Sequence, residues 1–279
     1  MGTPGPLRNV LKVWLVLAGL CAVLGLIGYG IGDLRVASSF VFCGVLLGIA
    51  AYLSLDRIVL GMVKARELSA RDAPDVHAAV ERLAGRAGVA KPRLYVIEKG
   101  PPLALAAGRG ANSSAIALTE ALAFLPAGAE VEAVLAHELA HIVRRDVIVQ
   151  TTAVVLAAMI VELSRIGGWL ERSLLFVLGP VASAFVHLLL SAKREFDADL
   201  LAATFCESPH GLADALIRLE QAAELVEFEA STATEPLYTI NPFLEEGVAA
   251  LFLTHPPVAD RVQRLRALDP DWRDKLRAA

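Results

Sequence analysis

The residues in this sequence best suited to chemistry lie on one predicted helix. Residues 129–143 have a strongly helical pattern and contain His137, Glu138 and His141 in the spacing HExxH. Histidines four residues apart lie on the same helix face, so both imidazoles can bind one metal ion. The glutamate beside the first histidine can reach a water molecule at that ion. This spacing predicts a hydrolytic metal site.

A third ligand must come from elsewhere, because a hydrolytic zinc site uses three protein ligands and keeps one position open for water. Glu195 and Asp199 lie four residues apart, on one face of a second predicted helix. One interpretation makes Glu195 the third ligand and Asp199 an acceptor that orients a ligating histidine. The other makes both acids part of a solvated helical turn, paired with Lys193 and Arg194. The spacing alone favours neither.

Four apolar runs must position these residues. Residues 13–32 and 36–55 carry no charge, and each run can cross a hydrocarbon core of about 30 Å. The short link between them predicts a membrane hairpin, with a cleaved signal peptide as the alternative for the first run. Residues 147–161 and 173–192 predict a second hairpin, although the shorter run 147–161 also suits a buried helix of a soluble domain.

The positive residues that flank these runs predict the orientation of the chain. Under the positive-inside rule the flanks lie in the cytoplasm, so we expect both termini and the catalytic domain on the cytoplasmic side of the inner (plasma) membrane. Arg165 and Arg172 lie in the opposite loop and weaken this argument. The flanking residues are Arg8, Lys12, Arg57, Lys64, Arg66, Arg144, Arg145, Lys193 and Arg194.

The runs divide the chain into four parts. Residues 1–61 form the first hairpin and residues 147–192 the second. Residues 62–146 and 193–279 are the two parts of one catalytic domain, of normal single-domain size.

The first soluble part predicts a small sheet followed by helices, an α+β fold that is mainly α. Residues 93–97, 103–107 and 115–118 have the pattern of strands. Residues 228–242, rich in Ser, Thr, Pro and Asn, predict a loop.

Composition excludes several classes of protein. Hydrophobic residues make up 56% of the 279 residues, which excludes a disordered chain. The formal net charge is −4, so a basic nucleic-acid surface is not expected. Three cysteines are too few for a fold held together by disulfides.

Three segments resemble one protein family. Residues 135–142 read LAHELAHI, residues 194–199 read REFDAD, and residues 254–262 read THPPVADRV. These segments, and the alternation of hairpins with soluble blocks, resemble the HtpX/Ste24 family of membrane zinc metalloproteases, peptidase family M48. The resemblance is strongest to its bacterial HtpX-like branch.

The resemblance implies a gluzincin-like catalytic domain with one zinc ion per chain. By this resemblance the ligands are His137, His141 and Glu195, and Glu138 is the general base. The implied activity is endoproteolysis of membrane proteins or their cytosolic loops, in quality control at the lipid bilayer. Two alternatives are Ste24-like processing of lipidated C-terminal motifs and a non-catalytic membrane adaptor that retains the fold. The sequence does not indicate an oligomeric state.

Further candidate contacts follow from the same resemblance. Family members commonly read Asn-Ala-Phe-Ala-Thr-Gly on the strand that receives substrate, where this chain has Leu103, Ala104, Leu105, Ala106, Ala107 and Gly108. The backbone of such an edge strand can still pair with an extended peptide. His255 is a candidate for contact with substrate or the reaction's oxyanion, and otherwise caps a loop. Arg194 is a candidate to hold Asp199 or a tetrahedral intermediate, and otherwise anchors the chain at the membrane interface.

Asp199 is expected to act through a histidine. It lies one helical turn beyond Glu195, and zinc-bound histidines usually donate their free ring N–H to a carboxylate or carbonyl. By resemblance to gluzincins we expect His137 to be its partner, with His141 second. Asp197, about 200° round the helix from Asp199, is expected to lie away from the site.

Overall fold

The protein was analysed as a computed structural model that describes residues 6–126, 128–165, 171–206, 208–226, 228, 232–242 and 253–271. The helices are α1 (Pro6–Ile31), α2 (Leu34–Met62), α3 (Pro74–Ala87), α4 (Glu120–Ala123), α5 (Ala129–Val143), α6 (Asp146–Arg165), α7 (Glu171–Leu189), α8 (Lys193–Phe205), α9 (His210–Leu225) and α10 (Val258–Ala267). The strands are β1 (Arg66–Glu67), β2 (Arg93–Ile97), β3 (Ala104–Gly108) and β4 (Ser114–Thr119), and a 3-10 helix spans Thr232–Leu237. The chain is therefore mostly helical with a small sheet, as predicted.

The sheet has the strand order β1-β2-β4-β3. β2 runs parallel to β4, while β1–β2 and β3–β4 are antiparallel pairs. The predicted bounds of β2 are correct, and those of β3 and β4 each differ from the prediction by one residue at both ends. β1 escaped prediction because it comprises only two exposed, charged residues.

Gly108 ends β3 in a conformation that a residue with a side chain rarely adopts. Its φ is +145°, and a Cβ atom there would overlap the Ser113 carbonyl oxygen and the Ser114 Cα. The chain can therefore turn tightly from β3 into β4, which keeps β3 against the sheet.

Two helices in the described part of the chain are long and apolar enough to cross a membrane. They are Leu7–Ile31 and Leu34–Met62, and most of their residues are not buried by the protein. Large apolar side chains such as Leu15, Leu26 and Leu47 are exposed, as expected of surfaces that face lipid. Asp33 caps α2 by accepting hydrogen bonds from Arg35 N (2.8 Å) and Val36 N (3.1 Å), which fixes the turn of this hairpin.

The second predicted hairpin differs from the first. The first half of α6 is buried, because it packs against α1, α2, β3 and the 3-10 helix. The protein core thus explains its apolar run as well as lipid would, and α6 is not one of the two described helices that are both long and apolar enough to cross a membrane. Residues Phe176–Leu189 and Lys193–Phe205 meet them only as a pair, bent by 45°.

The predicted loop at residues 228–242 is wrong where the structure describes it. Residues 232–237 form a 3-10 helix, and residues 233–240 are all buried. Leu237, Tyr238 and Ile240 supply apolar surface that packs into the core beneath β3. The described part of this segment therefore lies in the interior of the protein.

Candidate metal centre

The histidines and glutamate of α5 lie inside the core. His137, Glu138 and His141 are at most 3% exposed. α5 is sandwiched between α3, α8, α9 and β3, because its remaining residues are almost all apolar and pack in every direction. Burial excludes bulk water and strengthens the electrostatic interactions of any group placed there.

The three predicted ligand atoms face one point. His137 Nε2 lies 3.2 Å from His141 Nε2, and Glu195 Oε2 lies 3.4 Å and 3.5 Å from these two nitrogens. A tetrahedral ion with bonds of about 2.0–2.1 Å holds its ligand atoms about 3.3 Å apart. Glu195 Oε2 is also buried without a hydrogen-bond partner in the described structure. The donor set therefore fits a zinc-sized ion.

The electrostatics of these groups favour ionised Glu195. Burial raises its pKa, but His141 and His137 more than offset that effect, so the pKa of Glu195 lies well below its usual value. Burial lowers the pKa of His141, while Glu195 and Asp146 raise it, with a net rise to about 9. A cation that replaces the proton on His141 would meet the same negative potential.

Asp199 lies against the first histidine. Its Oδ1 is 2.9 Å from His137 Nδ1, so the imidazole can donate Nδ1–H and turn its Nε2 lone pair toward the ligand cluster. Arg261 holds the same carboxylate, with Nη2 2.6 Å from Oδ1 and Nε 2.8 Å from Oδ2. Burial raises the pKa of Asp199, but the Arg261 guanidinium and His137 lower it to about 2.

Glu138 has one oxygen held and one oxygen without a partner. Thr239 Oγ1 donates to Glu138 Oε1 at 2.7 Å. Oε2 is buried and has no hydrogen-bond partner among the described residues. Burial is the main cause that raises the pKa of Glu138 above the usual carboxyl value. Such a carboxylate is a better proton acceptor than an exposed one.

His255 faces the same cluster from the opposite side. Its Nδ1 lies 2.8 Å from Glu235 Oε1, and its Nε2 lies 3.8 Å from Glu195 Oε2. Burial lowers the pKa of His255, but Glu235 and Glu195 raise it, and the net shift is upward. The structure thus brings His255 to the site and gives it a buried carboxylate partner.

Arg194 lies elsewhere than beside Asp199, whereas Asp197 lies where it was predicted. Arg194 does not hold Asp199. Its Nη2 donates to the Asp146 carbonyl oxygen at 3.2 Å, and its Nε is 3.4 Å from Asp146 Oδ1. Asp197 lies away from the ligand atoms, as expected, but it is paired with Arg144 (3.0 Å) and Lys193 (2.7 Å).

The free edge of β3 is covered. Thr239 N donates to the Ala104 carbonyl oxygen at 3.1 Å, and Tyr238 forms an antiparallel bridge with Leu105. Leu103 and Ala106 are also buried. The expectation of an edge open to substrate is therefore wrong for this conformation.

Several site residues were not predicted. Arg261 belongs to the quoted THPPVADRV segment, but nothing in that segment connected it with Asp199. Glu235 and Thr239 lie in the segment interpreted as a loop, so nothing in the sequence connected them with α5. Asp146 follows the HExxH spacing by five residues and was counted only as the end of a soluble block.

Comparisons of the sequence with known proteins identify one family. The profile described as Peptidase family M48 matches residues 70–269. A Protease HtpX homolog of Pelotomaculum thermopropionicum is 37% identical over 93% of this chain and 99% of its own length. Those of Pyrococcus abyssi and Acidiphilium cryptum are 35% and 37% identical over 92% of this chain and 95% and 96% of their own. The crystal structure of S. mikatae Ste24p covers 93% of this chain and 64% of that chain, with a TM-score of 0.48 and 20% identity.

The geometry of the ligand atoms predicts the metal content of variants. Wild type should bind one zinc per chain, while His141→Ala and Glu195→Ala should lose most of it on dialysis against a weak chelator, because two donors rarely suffice. Glu138→Gln should keep its zinc. Atomic absorption on detergent-purified protein measures this, and unchanged zinc in both ligand variants would contradict the assignment.

The Asp199 contact predicts an intermediate effect. Asp199→Asn should fold and bind zinc about 10–100-fold more weakly, because His137 would lose the carboxylate that fixes its tautomer and orientation. Asp197→Asn is the matched control on the same helix, and it should bind zinc like wild type because a partly exposed ion pair contributes little. Zinc competition with a chromophoric chelator measures both affinities. Equal affinities in the two variants would remove Asp199 from the site.

Proposed function

The chain belongs to peptidase family M48 and is a metalloprotease, and from this premise we propose that it is a membrane-anchored zinc endopeptidase that cleaves membrane proteins or their cytosolic loops. One observation carries the proposal. The 3.2–3.5 Å triangle of His137, His141 and Glu195 has the dimensions of a zinc site, and Glu138 lies beside it. Zinc bound there would lower the pKa of a water molecule and polarise a peptide carbonyl.

The chain's own groups supply the proton transfers. Thr239 orients Glu138 through Oε1, which leaves Oε2 to accept a proton from the attacking water. Glu138 then returns that proton to the amine of the departing product. Because the carboxylate is buried, the proton is not exchanged with bulk water between the two steps.

His255 contributes on the side of the substrate carbonyl. Glu235 fixes the ring through Nδ1, so Nε2 faces the cluster. An Nε2–H donor in this position would stabilise negative charge that develops on the carbonyl oxygen. Arg194 has no such role in the proposal, because it lies behind the ligand cluster against Asp146.

The substrate would bind as an added strand on β3. The backbone N–H and C=O groups of residues 104, 106 and 108 point toward the same edge of β3. At this edge the Ala104 carbonyl oxygen accepts a hydrogen bond from Thr239, and the Gly108 N–H donates one to Thr151. A peptide that pairs with this edge must therefore replace the backbone contacts that Tyr238 and Thr239 make with β3. An unfolded or loosely folded segment can do so, whereas a segment held in a stable fold cannot.

Membrane placement supports the choice of substrate class. We propose that both hairpins lie in the bilayer as four spans, with the catalytic domain on the cytoplasmic side. The buried Asp56 near the end of α2 forms an ion pair with Arg93 of β2, so the sheet is held close to the membrane hairpin. A site so placed meets the exposed loops of neighbouring membrane proteins first, which suits a role in quality control.

Proteolysis in purified membranes tests the activity. Wild type should digest casein only with zinc present, and Glu138→Gln should be slower by about 10²–10⁴-fold while keeping its zinc, because only the proton acceptor is removed. Comparing the peptide products formed from membrane proteins by the two forms then identifies substrates. A zinc-loaded wild type that cleaves nothing would favour a non-catalytic adaptor.

Cysteine labelling tests the topology. On a background without Cys21, Cys43 and Cys206, a cysteine at Asp33 should react with an impermeant maleimide from outside the cell, and one at Gly128 should react only after lysis. The reverse pattern would place the catalytic domain outside. Protection of both positions in intact cells would contradict an outward-facing first loop.

A further inference from the structure

One carboxylate near the ligand cluster has no part in the reaction described above. Asp146 is the first residue of α6 and is 2% exposed. Its Oδ2 lies 3.7 Å from Nδ1 of His141, within ion-pair range and slightly longer than a hydrogen bond. His141 Nδ1 is buried and has no hydrogen-bond partner in the described part of the chain. The second histidine thus faces Asp146 as the first faces Asp199.

A sharp turn brings Asp146 back toward His141. α5 ends at Val143 and α6 begins only three residues later. Between them Arg145 has a φ of +55°, in the left-handed region that residues with side chains occupy rarely. This turn reverses the chain at the end of the metal helix and directs the Asp146 side chain inward.

The Asp146 carboxylate is held by donors from three separate parts of the protein. Asn9 Nδ2 of α1 donates to Oδ1 at 2.9 Å, and Arg144 Nε donates to Oδ2 at 2.9 Å. Arg194 of α8 approaches Oδ1 to 3.4 Å. With both oxygens engaged, the orientation of the carboxylate relative to the His141 ring is fixed.

The contact with Asn9 reaches 137 residues along the sequence. Asn9 also donates to the carbonyl oxygen of Arg145 at 3.3 Å, so it holds the turn as well as the carboxylate. It lies near the start of α1, which is long and apolar enough to span a membrane. The first membrane helix therefore touches the group that faces a predicted metal ligand.

Charge gives Asp146 a second effect on a bound cation. Arg144 and Arg194 both point toward it, and its negative charge offsets theirs next to His141. If the carboxylate became an amide, two guanidinium groups would repel a cation at the ligand cluster. Loss of Asp146 thus weakens metal binding through orientation and through charge.

We infer that Asp146 is a positioning residue for His141, and that Asn9 of α1 holds it in place, so that the first membrane helix completes the metal centre. The inference rests on the proposed zinc-peptidase function. It assigns α1 a role beyond anchoring, because the hydrogen bond from Asn9 links the position of the membrane helix to the geometry of the ligand cluster.

Zinc affinity and the spectrum of the cobalt-substituted protein test the inference, using the full-length chain in detergent. Asp146→Asn should bind zinc about 10–100-fold more weakly, alter the cobalt absorption bands and lower kcat without changing KM. Asn9→Ala keeps every charge and should weaken zinc binding about 3–10-fold, because it removes one hydrogen bond that orients the Asp146 carboxylate. Asn9→Gln, which restores a donor, should recover part of the loss.

Two controls separate positioning from general damage. Asp197→Asn removes another carboxylate paired with Arg144, and Leu11→Ala alters α1 at an exposed residue. Both should keep the zinc affinity and cobalt spectrum of wild type. If Asp146→Asn does not accumulate, Asn9→Ala decides the question.

The outcomes are distinct. Wild-type zinc affinity and cobalt spectrum in Asp146→Asn, or in Asn9→Ala when the first variant is lost, overturn the inference. Equal weakening in the two controls also overturns it, because the effect would then be nonspecific. A wild type that binds no zinc overturns the proposed function instead.

Discussion

The pairing of buried charged side chains is the interaction on which the rest of this structure depends. An isolated charge in an apolar core is very unfavourable, so each buried ionisable group needs a partner, and a buried pair that loses one member typically costs about 3–5 kcal/mol. Asp199 brings Arg261, and therefore α10, against α8. His255 brings Glu235, and with it the 3-10 helix, into the core. The ligand cluster thus determines where the C-terminal elements dock.

The small sheet and the membrane hairpin complete the core around these buried charged groups. β3 packs against α5. Gly108 allows the chain to turn so that β4 pairs with β3. α1 and α2 pack on α6, and the Asp56–Arg93 pair fastens β2 to the end of α2. The site therefore lies where the soluble elements and the membrane helices share a single apolar core.

The sequence predicted best what depends on local spacing. The bounds of α5 and β2, the α+β class and the first hairpin follow from periodicity and run length, and the HExxH spacing located the metal helix.

Contacts between distant segments were beyond such reasoning. Arg261 meets Asp199 across 62 residues and Thr239 meets Glu138 across 101, and neither separation has a signature in the sequence. The segment 232–242 was misinterpreted because its Thr, Pro and Asn residues are typical of exposed loops, whereas tertiary contacts bury residues 233–240. The 147–161 run was ambiguous because protein core and lipid select the same apolar residues.

The division of the ligands between α5 and α8 has a consequence for biosynthesis. His137, Glu138 and His141 leave the ribosome well before Glu195, with both helices of the second hairpin in between. Arg261, which fixes Asp199, comes later still. A metal site rarely exists before its ligands are folded together, so a partly synthesised chain would hold the proposed general base without a complete centre. On the proposed function, proteolysis would therefore begin only after α10 has docked.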